Sequence, residues 1–541
     1  ITSYTITASP GGVSTTVATT TTVTFNGLTV GERHTFAVVA FNGAASSTES
    51  FPSNPVVPYT SALVVNSTDS SPDYIPGNGA CDVIGSSTKC TLRAAIEESN
   101  ASSGYQVILF DIPTTDPGYV ASTTSFRISP TGTLPFIEDA VLIDGYSQTG
   151  ASRNKAQPGT SLNTVIKIEL HGGLIVSGST SGLELRAGSS TIRGIAIGQF
   201  LGSGVVVSSG ANHIEGSFLG TDVRGAVGIG NLSAGISLIP GTTSTANVIG
   251  GRHPSQTNLI SGNQIGILIT GATSSGVIIE GNFIGTDISG ATAIPNLDVG
   301  LSIVNGATSV TVGGATSAAR NVISGNGQHG IRLVGIDDET IKIFGNYIGI
   351  NDAATAVLPN GQNGISVISS SQITIGGSTP AHGNVISGNG WSGVLISGTT
   401  TGPNSLWNNT IGASPDGTAA LPNGNAGVLI KDGAHDTVVG GVSTTGNLIA
   451  FNGGDGVRVL SSSAASSTGN WISYNSIHSN TGLGIDLAVV AYDLGSCTDC
   501  PGDGVTSNEI TVENDSTIAI QSDAEIHVLS DGKTVRSSRV Q

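Results

Sequence analysis

The phrase NLISGN that begins at Asn258 returns as NVISGN at Asn321 and Asn384 and as NLIAFN at Asn447, three successive intervals of 63 residues. A second phrase is interleaved with it, Asn-x-Ile, headed by Asn282, Asn346, Asn409 and Asn475. The unit is therefore two turns of chain, one of 24 or 25 residues and one of 38 or 39. Each turn carries three short apolar segments, for example NLI, Gly266-Ile-Leu-Ile and Gly276-Val-Ile-Ile, with Gly, Asn, Ser and Thr between them. Branched residues at alternate positions in runs this short signal strands, and helices need longer runs. No such turn can bury its own apolar face, so the turns must stack into a solenoid. Parallel strands about 4.8 Å apart then place Ile, Val and Leu inside a tube. The expected fold is an all-β, right-handed parallel β-helix, the hand following from the crossover rule.

The asparagines that head the turns have a structural reading. Asn tolerates left-handed backbone at a sharp corner, and identical amides stacked turn over turn can hydrogen-bond along the tube. Asn258, Asn282, Asn321, Asn346, Asn384, Asn409, Asn447 and Asn475 are expected to form such a ladder.

Composition narrows the function classes. The chain has 541 residues, 78 of them Gly, with only 10% charged and a net charge of −18. A surface of Ser, Thr and Asn suits a tube of corners and thin strands, and 19 Lys and Arg in total make nucleic acid a poor partner. No apolar run is long enough to span a bilayer. Met is absent and residue 1 falls inside a strand-like run, which reads as a processed or trimmed piece of something longer. The four cysteines form two close pairs, Cys81 with Cys90 and Cys497 with Cys500. Local pairs in so Cys-poor a chain read as disulfides made outside the cytoplasm; a four-thiolate zinc site across the two ends is the alternative.

Taken in order, the chain divides into residues 1–59, 60–104, 105–490 and 491–541. The first part alternates as SYTITA, TTVTFNGL, HTFAVVAFN and SNPVVPY, the pattern of half a β-sandwich. Leu28, Gly31, Phe36, Val38, Ala40 and Asn42 resemble the later strands of a fibronectin type III domain, with His34 where that family has its corner Tyr. The resemblance implies a partial sandwich with an open edge, which another segment ought to cover. In the second part Leu92, Ala95, Ile96 and Ser99 mark one face of a helix that Thr91 can cap. The run from Cys90 to Ala95, with Asp69, Gly79, Cys81 and Asp82 upstream and Ala101 downstream, resembles the CSLREA domain. That module commonly precedes bacterial surface β-helices, and the resemblance implies a cap over the first open turn. LPFIEDAVLIDGYSQTGA and NSIHSNTGLGIDLAVV, near the two ends of the tube, resemble the same family of secreted right-handed β-helices. The third part holds about a dozen turns, on the order of 60 Å of tube. The last part is a disulfide-tied loop followed by the strand-like EITVEN, STIAIQS, AEIHVLS and GKTVRSS.

No constellation of catalytic residues stands out. Polysaccharide lyases and hydrolases on this fold array carboxylates with Arg or Lys on one outward face. Asp222 and Asp287 occupy GTD corners whose counterparts in later turns are Asn351 and Ser414, a series that describes turn capping. Gln328, His329 and Gly330 with Asp337 and Asp338 resemble fragments of the polygalacturonase signature, but out of order and within one turn. The nine His show no ligand spacing. Calcium at Asp499 to Asp503, or around Asp69 and Asp73, is the only cofactor that oxygen-rich corners suggest.

The expectation is an extracellular cell-surface rod, structural or adhesive, binding glycans or other copies of itself. Its sharper form has residues 509–541 completing the sandwich of a neighbouring copy to build a filament. The alternative is a polysaccharide-binding or polysaccharide-degrading β-helix. A charged cleft across several turns would favour an enzyme, and an exposed aromatic stripe would favour sugar binding. Trp391, Trp407 and Trp471 are too scattered in sequence to show one.

Overall fold

The computed structural model describes residues 1–490 apart from 44, 51, 60, 242–245 and 463–464, together with the strands Ile518–Ser522 and Ala524–Val528. Cys497, Cys500 and the acidic run from Asp499 to Asp503 lie outside the described residues. Three long parallel sheets run the length of the tube. The first has thirteen strands from Leu63–Val65 to Trp471–Ser473, and the second thirteen from Tyr119–Val120 to Ser476–His478. The third has eleven, from Leu183–Leu185 to Ile485–Val490. Apart from the antiparallel hairpin of Tyr119–Val120 with Ser125–Ile128 that opens the second sheet, successive strands of one sheet come from successive turns, so the chain coils as a right-handed parallel β-helix of about a dozen turns.

Side-chain stacking explains why such short strands hold. In the third sheet Ile236, Ile267, Leu301, Ile331, Ile365, Val394, Val428 and Val457 stand in one register column. All are fully buried. The two- and three-residue strands of the second sheet stack Ile260, Ile284, Ile323, Ile348, Ile386, Ile411 and Ile449 in the same way. Burying one such side chain contributes about 1.5–3 kcal/mol, and no turn has more than a few of them. The coil is therefore stable only as a stack.

The corner between the first and second sheets is closed by amides. Asn258 Nδ2 donates to Asn282 Oδ1 at 2.9 Å, and Asn282 to Asn321 at 3.0 Å. The chain of bonds continues through Asn346, Asn384, Asn409 and Asn447 to Asn475 at 2.8–3.0 Å. Left-handed backbone does not fall on these asparagines, as their residue type suggests; ahead of Asn282, Asn346, Asn409 and Asn475 it falls on the residue before, where Gly281, Gly345, Asn408 and Tyr474 have φ of 69°, 73°, 57° and 57°. That residue absorbs the corner and leaves the amide free to point along the tube. A Cβ on Gly281 would also lie 2.2 Å from the Gly251 carbonyl oxygen.

A second ladder, not foreseen from the sequence, closes the corner between the second and third sheets. Asn231, Asn263, Asn296, Asn326, Asn360, Asn389, Asn423, Asn452 and Asn480 are joined Nδ2 to Oδ1 at 2.8–3.1 Å. Its signal is the second Asn of NLISGN and the Asn of the LPNG corners.

At the N-terminal end a helix packs into the core of the tube. The helix Leu92–Ala101 is capped by Thr91, whose hydroxyl accepts from the Ala94 N–H. Its Leu92, Ala94, Ala95 and Ile96 join the core of the tube. Cys81 and Cys90 form a disulfide, and the fully buried Glu98 accepts from the N–H of Gly79 at 2.6 Å. Asp73 faces Glu98 and Asp82, and its carboxyl is pushed up to about 6, first by burial and then by those charges. A carboxyl raised in the fold stabilises below its unfolded value and loses that contribution as pH rises through about 6. Asp73→Asn is therefore expected to raise stability by about 1–2 kcal/mol at neutral pH and by nothing at pH 4. Urea melts at the two pH values test it, and an equal effect at both would contradict it. Asp69 is paired with Lys89 at 3.0 Å, and among the described residues no three His, Cys, Asp or Glu side chains converge as metal ligands.

Ahead of this end, Ser3–Ser9 pairs antiparallel with Ser14–Val17 on one side and Thr35–Phe41 on the other. TTVTFNGL, read as a strand, is not one; Phe25 packs on the ring of Phe36 at 4.7 Å without pairing its backbone. SNPVVPY is not a strand either: it forms the bridge between Val56 and His34 and single backbone bonds from Ser53 to Phe36 and from Gly31 to Pro58. The edge of Thr35–Phe41 is covered from within the segment. Ser47, Ser50 and Ser53 each give a backbone N–H to a carbonyl of that strand and take the neighbouring strand N–H on their hydroxyls. Far along the chain, Ile518–Ser522 pairs antiparallel with Ala524–Val528. EITVEN and GKTVRSS lie outside the described residues.

Candidate functional site on the outward face of the third sheet

Along the third sheet the residue between two core positions points outward, and in most turns it is apolar or small. The column reads Leu268, Ser302, Arg332, Ser366, Leu395 and Leu429. In these six turns Ser302, Arg332 and Ser366 are adjacent, so a polar strip about 10 Å across is set between leucines.

The loop entering each strand extends the strip. Gln264, Asp298, Gln328, Gln362, Trp391 and Asn425 follow one another from turn to turn, each N–H donating to the carbonyl of the one before at 2.7–3.0 Å. Asp298 reaches Arg332 with both oxygens, at 3.3 Å and 3.1 Å, the forked geometry that fixes a guanidinium plane. His329, Asn363 and Ser392 are successive residues of the next column.

Five polar atoms here are buried without a hydrogen-bond partner among the described residues: Ser302 Oγ, His329 Nδ1, Asn363 Nδ2, Ser366 Oγ and Ser392 Oγ. Asn363 is 2% exposed and Ser366 not at all. Buried polar side chains are nearly always bonded, so five in four neighbouring turns mark a place built to meet donors and acceptors from outside the chain. Trp391, 52% exposed, stands at the edge of the strip.

No protein-family model and no curated protein matches the chain. Solved structures do resemble it. A mutant form of the periplasmic alginate epimerase AlgG shares 13% identity over 70% of this chain and 67% of its own, with a TM-score of 0.32. The catalytic unit of a thermostable GH87 α-1,3-glucanase from Streptomyces thermodiastaticus shares 12% over 90% and 86%, at 0.34. A family 28 exopolygalacturonase from Yersinia enterocolitica shares 11% over 88% and 85%, at 0.21.

The strip carries little net charge. Burial, and after it the Arg332 cation, lowers the His329 pKa to about 4 against the opposing pull of Asp298. At neutral pH the imidazole therefore offers one donor and one acceptor. Of the fragments singled out in the sequence, Gln328 and His329 lie on this face. Asp337 and Asp338 do not join them: Asp337 binds Ser371 and Gln372, and Asp338 caps the Thr340 N–H. The GTD corners behave as turn caps. Asp222 Oδ1 accepts from Ala226 and Val227, Asp287 Oδ1 from Ser289 and Thr292, Asn351 from Thr355 and Ala356, and Ser414 from Ala419. Trp407 and Trp471 belong to the first sheet, so the three tryptophans share no face.

Asp298, Ser302, Arg332, Asn363 and Ser366 were not singled out in the sequence. Their signal was faint but present: Arg332 stands where the turn from Asn258 has Leu268.

A second charged cluster is closed to solvent. Arg193 binds Asp144 at 2.7 Å, and Glu215 takes Gln256 at 2.8 Å and, from the N-terminal segment, Arg33. Gly31 packs on Tyr105 so tightly that a Cβ would lie 2.8 Å from it. These groups fasten the N-terminal sheet to the outside of the tube and offer a ligand no way in.

Proposed function

We propose that this chain is an extracellular surface β-helix that binds glycan on its Arg332 face, an adhesive and carbohydrate-binding role carried by a rigid tube. The observation that carries the reading is the group of five unpartnered buried polar atoms around the forked Asp298–Arg332 pair, with an exposed indole beside it. A sugar presents hydroxyls that donate and accept, and an apolar ring face that packs on Trp391. Secretion is supported by the Cys81–Cys90 bond. No helix among the described residues is long and apolar enough to cross a membrane. We take residues 60–104 as the cap of the tube. Degradation is the weaker reading for this face. Acid–base cleavage of a glycoside needs two carboxylates about 5–10 Å apart, and the column of Asp298 continues as Gln328 and Gln362.

Arg332→Ala and Trp391→Ala are each expected to weaken glycan binding at least about tenfold, a loss of about 1.4 kcal/mol or more. Asp337→Ala, on the far corner, should leave it unchanged. Calorimetric titration of the glycans retained from an immobilised panel tests this, and equal affinities for all four proteins would sink it.

A further inference from the structure

The glycan reading can be taken one step further, to the class of chain that fits. We infer that the ligand of the Arg332 face is an uncharged polysaccharide lying parallel to the tube axis, and that the face selects against uronic or sulfated chains. The inference rests on the glycan reading and on three further observations.

The first is a ledge. Immediately after the second amide ladder, Gly327, Gly361, Gly390, Gly424 and Gly453 succeed one another from turn to turn. A Cβ on Gly361 would lie 2.2 Å from the Gly327 carbonyl oxygen, and one on Gly424 would lie 2.2 Å from that of Gly390. Backbone packing thus keeps this column bare of side chains for about 19 Å. It runs beside Gln328, Gln362, Trp391 and Asn425, and Leu297 stands at one end of it. A narrow lane with a polar wall suits an extended chain whose repeat advances with the turns.

The second is that donors and acceptors remain to be met along that lane: Asn363, Ser366 and Ser392 are each at least 98% buried with an unpartnered polar atom. None of them is ionisable. They match hydroxyls and add nothing for a carboxylate or sulfate to pair with.

The third is charge. Among the described residues, every basic residue on or next to the strands of this sheet is already partnered by a carboxylate. Arg186 binds Glu184, Arg332 binds Asp298, Lys431 binds Asp432 and Arg458 binds Asp486. The imidazole of His329 is neutral at ordinary pH. A chain of net charge −18 repels polyanions at long range, and the described residues of this face include no free cation to offset that.

The test titrates the full chain with dextran, cellohexaose and laminarin oligosaccharides against polygalacturonate and alginate, at low and high salt. A neutral chain should bind at least about tenfold more tightly than either uronate, with an affinity that salt does not change. Asp298→Asn, which frees the guanidinium, should raise uronate affinity by roughly tenfold; a uronate affinity that does not rise would count against the charge argument. Tighter binding of polygalacturonate or alginate by the wild type would overturn the inference and leave the glycan reading standing. Binding of none of the five would overturn both. Should Asp298→Asn misfold, the wild-type order of affinities still decides.

Discussion

Asn321→Ala is expected to cost about 3 kcal/mol and to split the unfolding of the tube into two steps. Asn321 is the third of the eight amides of the first ladder and stands near the middle of the tube. Its Nδ2 donates to Asn346 Oδ1 at 2.9 Å and to the Ile279 carbonyl at 2.8 Å, while its Oδ1 accepts from both nitrogens of Asn282 at 3.0 Å. Truncation leaves those groups buried with bonds unmade, and unmade buried bonds cost more than made ones contribute. In a one-dimensional stack a lesion acts on its two neighbouring interfaces, so a central one uncouples the halves. The same change at Asn475, near the end of the ladder, should cost less and leave a single transition. Calorimetric melts of the two variants compare them directly, and identical traces would show that the amide column is incidental to cohesion.

Glu215→Ala is expected to be as damaging, by about 3–5 kcal/mol, for a different reason. The carboxylate is buried against Arg33, Arg193 and Gln256, and its removal strands the Arg33 guanidinium with little water to solvate it and leaves Arg193 with Asp144 alone. Burial works to raise the Glu215 pKa, yet the two arginines and Gln256 outweigh it and hold the carboxyl below its usual range. A carboxyl lowered in the fold contributes stability above its unfolded value, near pH 4.3, and loses it as pH falls through the folded one. The gap between wild type and Glu215→Ala should therefore be full at pH 7 and close progressively in acid. Because Arg33 belongs to the N-terminal segment, limited proteolysis should cut that segment first in the variant. A gap that persists unchanged at pH 2 would mean that shape, not charge, holds the two parts together.

The tube was legible in the sequence because the core columns admit only Ile, Val and Leu, so every turn must repeat the same aliphatic places. The Asn258 to Asn475 series showed for the same reason: an amide bonded to the next amide can be replaced by no other side chain. The Arg332 face was not legible, because an outward position is free to vary, and one Arg among Ser and Leu looks like ordinary drift until the register places it beside Asp298, which is 34 residues away in sequence. The second ladder was overlooked because the loops that precede its asparagines differ in length, which hides their common height. At the N-terminus, TTVTFNGL alternates as a strand does, yet alternation promises only a half-buried side. A strand also needs a free edge to bond, and Ser47, Ser50 and Ser53 occupy the one beside Thr35–Phe41.

The alternation of short and long coils has a mechanical consequence. Each coil is held by its whole circumference to the coils above and below, so a pull at one end of the chain strips one coil at a time and leaves the remainder wound. A coil of 24 or 25 residues and one of 38 or 39 pay out roughly 85 Å and 135 Å of thread. The molecule would give way in alternating lengths like a ratcheted cable, keeping an anchored load in place while it lengthens.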